Sequence, residues 1–232
     1  MAIQRRRDYT RKEPSKQSNK IYIVCEGANK EPEYFEFFRG LSSNLEIITI
    51  PPTNGTDPLK LIENAKKHFL SDNPKYELDY LQGDKVWFVF DTDTWKVEGK
   101  IIPLQQFCDN QNRESFDNIS GVSSYKVWNY AQSNPSFEIW LYYHIHKKCP
   151  NATDIDSFGS FKEFVSKSIS GGFNLETHPV FLEDAITNSQ KNFKKGQDGM
   201  PDVYSTEIHL LGEEIFPFVK NELGKLKNKL RM

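Results

Sequence analysis

Cysteine is scarce: the 232 residues hold three, at positions 25, 108 and 149. An odd and widely spaced set fits reduced thiols rather than a disulfide framework. Long apolar runs are missing too. None approaches the roughly 20 residues of a membrane helix, and the N-terminus lacks the apolar segment of a secretory signal. The expected location is therefore the cytoplasm, with no membrane partner. Charge of one sign is not in excess, since 30 Lys and Arg face 32 Asp and Glu for a formal net charge of −2. Bulk charge thus does not mark a nucleic-acid binder, and its distribution must be read instead. There is no Gly-rich Walker loop, no Gly-x-Gly-x-x-Gly fingerprint and no Gly-x-Ser-x-Gly elbow. If ATP is used, a partner hydrolyses it.

The charge that is present is unevenly placed. Arg5, Arg6, Arg7, Arg11, Lys12, Lys16 and Lys20 are opposed only by Asp8 and Glu13, and no apolar run interrupts them. Residues 1–19 read as a flexible basic arm, suited either to phosphate contact without sequence preference or to plain solvation.

Two apolar runs end abruptly in acids. Val86-Trp87-Phe88-Val89-Phe90 stops at Asp91-Thr92-Asp93, and Ile21-Tyr22-Ile23-Val24-Cys25 stops at Glu26-Gly27. Short continuous apolar runs read as strands buried on both faces of a parallel sheet. Pro32 suits the first turn of a helix with Tyr34, Phe35 and Phe38 on one side, ending near Gly40. Leu45 to Ile50 reads as a strand, and Asp57-Pro58 as an N-cap and first helical residue, with Leu61, Ile62, Ala65 and Phe69 as the buried stripe. The order β-α-β-α-β implies right-handed crossovers, which bring Glu26 and Asp91 to one sheet edge. Beyond lie a helix around Leu104 to Phe107 and a strand at Tyr125 to Tyr130. A turn at Ser133-Asn134-Pro135 then leads into a helix carrying Phe137, Trp140 and Leu141. Ser160 to Ile169, Val180 to Phe193 and Ser205 to about Leu230 read as helices, the last kinked by Pro217. The fold class is α/β: a parallel-sheet core over residues 20–150, flanked by helices, and a mostly helical extension over 151–232 packed on it.

Ligands bind at the carboxyl ends of such strands, and paired carboxylates there need a cation or a proton. Mg²⁺ takes oxygen ligands and commonly uses one or two carboxylates while phosphate oxygens complete its shell. Asp91 and Asp93 suit that role, with Glu26 as a further ligand or a general acid or base; Asp91 could equally end a strand and cap the next turn. Asn134, Ser136 and Glu138 open a helix where a phosphate can settle, although helix capping explains them as well. His144 and His146 with Cys149 do not supply four zinc ligands, so packing is the plainer reading of His144. Thr206 and His209 are further possible phosphate contacts.

These residues, taken in order, resemble the RloB family, bacterial proteins associated with phage defence and abortive infection. Val24-Cys25-Glu26-Gly27 with Glu31-Pro32 and Tyr34-Phe35 resembles its opening motif, and Trp87 to Asp93 its aspartate motif. Asn134 to Leu141 with His144 resembles the third, and Ser205 to Leu210 the last. The chain departs from the family's usual residues at Ala28, Asn29 and Lys30 and at Val203-Tyr204, but keeps the three acids. The resemblance implies a Toprim-like core in which Glu26, Asp91 and Asp93 hold Mg²⁺, or Mn²⁺, for phosphodiester chemistry on DNA or RNA. It also implies a defence effector controlled by a neighbouring ATPase. Two other readings remain open: a haloacid-dehalogenase-like phosphatase with Asp91 as nucleophile, and a non-catalytic module that binds nucleic acid or a partner.

Overall fold

Five strands form one sheet in the order β2-β1-β3-β4-β5. They are β1 (Asn19–Cys25), β2 (Leu45–Ile50), β3 (Lys85–Asp91), β4 (Trp128–Asn134) and β5 (Ser205–Thr206). The first four are parallel, and β5 pairs antiparallel to the end of β4. The computed structural model describes residues 10–92, 95–118 and 126–230. Arg5, Arg6 and Arg7 of the expected arm, and Asp93, therefore lie outside the described residues.

Helices cover both faces of the sheet. Between β1 and β2 lies α1 (Lys30–Glu36); between β2 and β3 lies α2 (Pro58–Ala65), extended by a π-helical turn at Lys66–Leu70; between β3 and β4 lies α3 (Ile101–Asn118). After β4 come α4 (Glu138–Tyr143), α5 (Ala152–Ile155), α6 (Phe161–Ser168), a 3₁₀ turn at His178–Phe181, α7 (Leu182–Asn192) and, past β5, α8 (Ile208–Leu230). Among the described residues no helix is long and apolar enough to cross a membrane.

The period-2 alternation of a strand divides the core. Ile21, Ile23, Cys25, Trp87 and Val89 face α1, α4, α7 and α8, whereas Tyr22, Val24, Val86, Phe88 and Phe90 face α2 and α3. This is why the two apolar runs are unbroken: neither face of β1 or β3 meets water. The parity also fixes the site, because Asp91 follows Trp87 and Val89 onto the α1 and α4 face. At the start of α2, the Asp57 side chain accepts from the N–H groups of Leu59 (3.0 Å) and Lys60 (3.3 Å), with Pro58 at the first turn.

Two boundaries differ from the sequence reading. β4 runs on through Gln132 to Ser133 and Asn134, the last two of which the sequence suggests as part of a turn, and chain reversal waits for the cis Asn134–Pro135 peptide. Ser205–Thr206, expected inside the last helix, is instead strand β5, and α8 begins at Ile208. One cause serves both: Ser133 and Thr206 exchange a buried hydroxyl hydrogen bond of 2.8 Å, so each polar strand end satisfies the other. Tyr204, just before β5, holds a left-handed backbone (φ 64) and donates its N–H to the Asn134 carbonyl at 2.8 Å. Where the sequence suggests a basic arm, Arg11 meets Glu36 at 2.8 Å and Lys12 meets Glu222 at 3.0 Å.

Candidate active site at the carboxyl edge of the sheet

β1 and β3 are adjacent and in register, with Cys25 opposite Val89. The next residue of the first strand, Glu26, therefore sits beside the end of the second. Its Oε2 accepts the Asp91 backbone N–H at 2.7 Å, and its Oε1 accepts the Trp95 indole N–H at 2.8 Å. Asp91 in turn reaches across to the start of α4, where its Oδ1 accepts the Phe137 N–H at 2.7 Å. Among the described residues no donor reaches its Oδ2. Two acids separated by 65 positions are thus oriented by backbone and indole donors, which is the precise placement that charge-assisted hydrogen bonds provide.

Asp91 is only 9% exposed. Burial, then the charges of Glu26, Glu31 and Glu138, push its pKa well above the ordinary carboxylate range. Glu31, on the first turn of α1, is itself buried, and burial followed by the charge of Glu138 raises its pKa too. It lies directly over the strand-to-helix loop: a Cβ added at Gly27 would fall 1.7 Å from Glu31 Oε2. Gly27 is thus required by close approach. At Glu138 burial opposes the charge, but hydrogen bonds from Lys30 (2.6 Å) and Ser136 (2.7 Å) outweigh it and lower the pKa. Lys162 stands at 3.9 Å from the same carboxylate.

The residues expected at the site divide into groups. Glu26 and Asp91 converge, and Ser136 and Glu138 lie beside them at the start of α4. Asp93 falls outside the described residues. Asn134 and Thr206 hold the neighbouring strand ends together: the Asn134 amide donates to the Pro201 carbonyl at 2.9 Å, and Thr206 bonds Ser133. The two histidines are engaged in packing. His144 is 3% exposed, with Nε2 at 2.9 Å from the Tyr34 hydroxyl and Nδ1 at 3.0 Å from the Trp140 carbonyl, and burial pushes its pKa down to about 3. His209 points Nδ1 at the Thr206 carbonyl (2.8 Å) with its ring against Phe193.

Sequence reasoning missed Glu31, Lys30, Trp95 and Lys162 as site residues. A usable signal existed for the first. Glu31 precedes Tyr34 and Phe35 by three and four residues, so it falls on the apolar face of α1, where a carboxylate is costly without a purpose. Thr92 and Gln132 were also overlooked: the Gln132 amide donates to Thr92 Oγ1 at 2.8 Å, and that hydroxyl donates to the Ser133 carbonyl at 3.0 Å.

A hard divalent cation suits this donor set chemically, since Glu26, Glu31 and Asp91 offer only carboxylate oxygens and burial, followed by the charge of its acidic neighbours, raises the pKa of Asp91. Among the described residues no three His, Cys, Asp or Glu side chains are already gathered into a metal cage. A two-carboxylate attachment completed by water and phosphate is what Mg²⁺ commonly uses. Searches of curated proteins and of solved structures found no match. The family model described as RloB-like protein matches residues 21–215, from the first buried strand to the middle of α8, and the chain accordingly belongs to the RloB-like family.

Proposed function

We propose that this protein is a Mg²⁺-dependent nuclease with a Toprim-like core, hydrolysing phosphodiesters of DNA or RNA. The observation that carries the reading is the convergence of Glu26 and Asp91 at the ends of adjacent parallel strands, tied by the 2.7 Å bond from the Asp91 N–H to Glu26. Glu26, Asp91 and Asp93 would hold the ion. When bound, Mg²⁺ (or Mn²⁺) supplies charge that offsets the carboxylates and polarises the scissile phosphate. The protein's own groups do the rest. The Phe137 N–H fixes Asp91, the Asp91 N–H and Trp95 indole fix Glu26, and Glu26 would exchange a proton with water at the phosphate. Family membership supports a role as an anti-phage defence effector, and the missing nucleotide loop fits control by a partner ATPase.

The phosphatase reading gives Asp91 a nucleophilic role but leaves Glu26 without one. Here Glu26 is bonded to the Asp91 backbone itself, which favours a shared task. The test is incubation of the purified protein with assorted DNA and RNA in Mg²⁺ or Mn²⁺, with and without the neighbouring ATPase. Cleavage absent from a Glu26→Gln/Asp91→Asn double variant is expected. Persistence of cleavage in that variant refutes the assignment, and a phosphoaspartate trapped at Asp91 would replace it with the phosphatase.

A further inference from the structure

Four lysines crowd one corner of the molecule and take no part in the chemistry just described. Lys147 and Lys148 lie in the loop after α4, and Lys191 and Lys194 flank the carboxyl end of α7. Asn192 ties the two segments together: its amide donates to the Lys147 carbonyl at 3.0 Å, and its Oδ1 accepts the Cys149 N–H at 3.1 Å. All four lysines are exposed, and among the described residues none of them forms an ion pair. The acids of this corner are engaged elsewhere. Glu207 meets Lys195 at 3.4 Å, Glu213 accepts the Gln190 amide at 2.6 Å, and Asp202 accepts the Val203 N–H at 2.8 Å. Asp154 and Asp156 bear on Tyr142 and Tyr204 and pair with none of the four. One cation suffices to offset the carboxyl end of α7, and Lys191 in its last turn does so. Three more beside it repel one another and need another reason. The corner also belongs to the edge that carries the acids. The Lys194 N–H donates to Ser205 Oγ at 3.0 Å, Ser205 pairs with Asn134 at the end of β4, and Ser133 pairs with Asp91. β5 thus stands two strand spacings from β3, about 10 Å.

We propose that Lys147, Lys148, Lys191 and Lys194 grip the phosphate backbone of the substrate, roughly three or more nucleotides from the scissile bond at about 3.4 Å of rise per nucleotide. The proposal rests on the nuclease reading and deepens it by giving the substrate a second point of attachment. A group of carboxylates repels a polyanion until a cation is bound, so affinity has to come from another part of the surface. With a formal net charge of −2, bulk charge cannot supply it, and a local patch of unpaired cations can. Lysine ammonium groups are point charges that hold phosphates without reading bases, which suits positioning rather than sequence preference. DNA and RNA share this chemistry, so both belong in the test.

Fluorescence anisotropy across a KCl series, with labelled single-stranded RNA, single-stranded DNA and a duplex of the same sequence and with Ca²⁺ in place of Mg²⁺, tests the grip. The variant Lys147→Gln/Lys148→Gln/Lys191→Gln/Lys194→Gln is expected to bind a single strand roughly tenfold more weakly or worse and to lose about three from the salt slope, at about 0.7 per phosphate contact, with its melting temperature unchanged. The control Lys66→Gln/Lys67→Gln/Lys75→Gln/Lys126→Gln removes the same charge near the opposite edge of the sheet and should keep the wild-type slope. Cys149 beside Asn192 is exposed while Cys25 and Cys108 are buried, so a saturating oligonucleotide should slow its reaction with N-ethylmaleimide severalfold. A slope that falls no further in the first variant than in the control overturns the proposal, as does failure to bind any of the oligonucleotides. Protection of Cys149 by poly-glutamate but not by nucleic acid overturns it in favour of an acidic protein partner. Cleavage in Mg²⁺ is scored separately. A slope lost in the first variant without any cleavage by the wild type refutes the nuclease and leaves the grip standing, and cleavage with an unaltered slope does the reverse.

Discussion

Protonating His144 should loosen the joint between the helices that carry the acid site. The ring lies between α1 and α4, in edge contact with Tyr34 (5.4 Å), Trp140 (5.2 Å) and Phe173 (5.1 Å), and both nitrogens have protein partners. Burial pushes its pKa from 6.5 down to about 3. The folded protein therefore binds this proton less readily than the unfolded chain. The stability that a neutral His144 contributes is fully present above pH 6.5 and is withdrawn as the pH falls towards 3. Each pH unit in that window is worth about 1.4 kcal/mol, so going from pH 6.5 to about 5 removes about 2 kcal/mol through this group alone. Urea unfolding of the wild type and of His144→Gln at about pH 7.5 and pH 5 measures it. The variant is less stable at the higher pH, because it loses ring contacts and imperfectly replaces two buried hydrogen bonds. Between the two pH values, however, the wild type should lose about 2 kcal/mol more than the variant, with the carboxylates cancelling in the comparison. Parallel pH profiles would refute the reasoning, for they would mean that the fold accommodates an imidazolium at this position.

Mg²⁺ should raise the melting temperature of the wild type and leave that of Asp91→Asn unchanged, a comparison that thermal scans across a metal titration can make. In EDTA the same substitution should stabilise the protein at any pH where Asp91 is ionised, since it removes a buried charge facing three carboxylates; because the pKa of Asp91 is raised, this gain should shrink as the pH falls and the wild-type acid takes up its proton. A gain that grows in acid would contradict the cause assigned to the shift. Gly27→Ala should cost about 1–3 kcal/mol in chemical denaturation, because its methyl group would occupy the space of the buried Glu31 carboxyl. Ser133→Ala and Thr206→Val should each cost about 1–3 kcal/mol by stranding a buried hydroxyl, and the double variant should cost clearly less than the two together. Additivity would show that the pair does not secure β5.

The parts of the fold that were legible in the sequence are those where one local rule decides. Five unbroken apolar residues in each of β1 and β3 leave no polar face, so a doubly covered parallel sheet is their natural setting. Asp57-Pro58 supplies both the cap and the first helical residue of α2 within two positions, and the structure uses both. The end of β4 and the whole of β5 obeyed no such rule. Ser133-Asn134 has the composition of a turn, yet this end of β4 is held between β3, where Ser133 pairs with Asp91, and Thr206, Glu207 and Pro201, which arrive from about 70 residues away to take up its polar groups.

The site divides in the same way. Glu26 and Asp91 could be found because each ends an apolar run, and a carboxyl at the carboxyl edge of a parallel sheet is conspicuous in one dimension. Their neighbours Glu31, Lys30 and Glu138 lie on helix starts, where an acid or a base ordinarily means capping or dipole compensation. Only the packing of α1 against α4 turns those ordinary positions into a buried group of carboxylates bordered by two lysines. The same packing depends on His144 and Tyr34, which touch no acid. A perturbation at the imidazole therefore ought to change the spacing of Glu31 and Glu138 about Asp91 as well as the stability. If His144→Gln alters the metal-induced rise in melting temperature by as much as it alters chemical stability, the acid site and the α1–α4 joint act as one mechanical unit. An unchanged metal response in a destabilised protein would show instead that β1 and β3 alone position the acids, and that the helices only shield them.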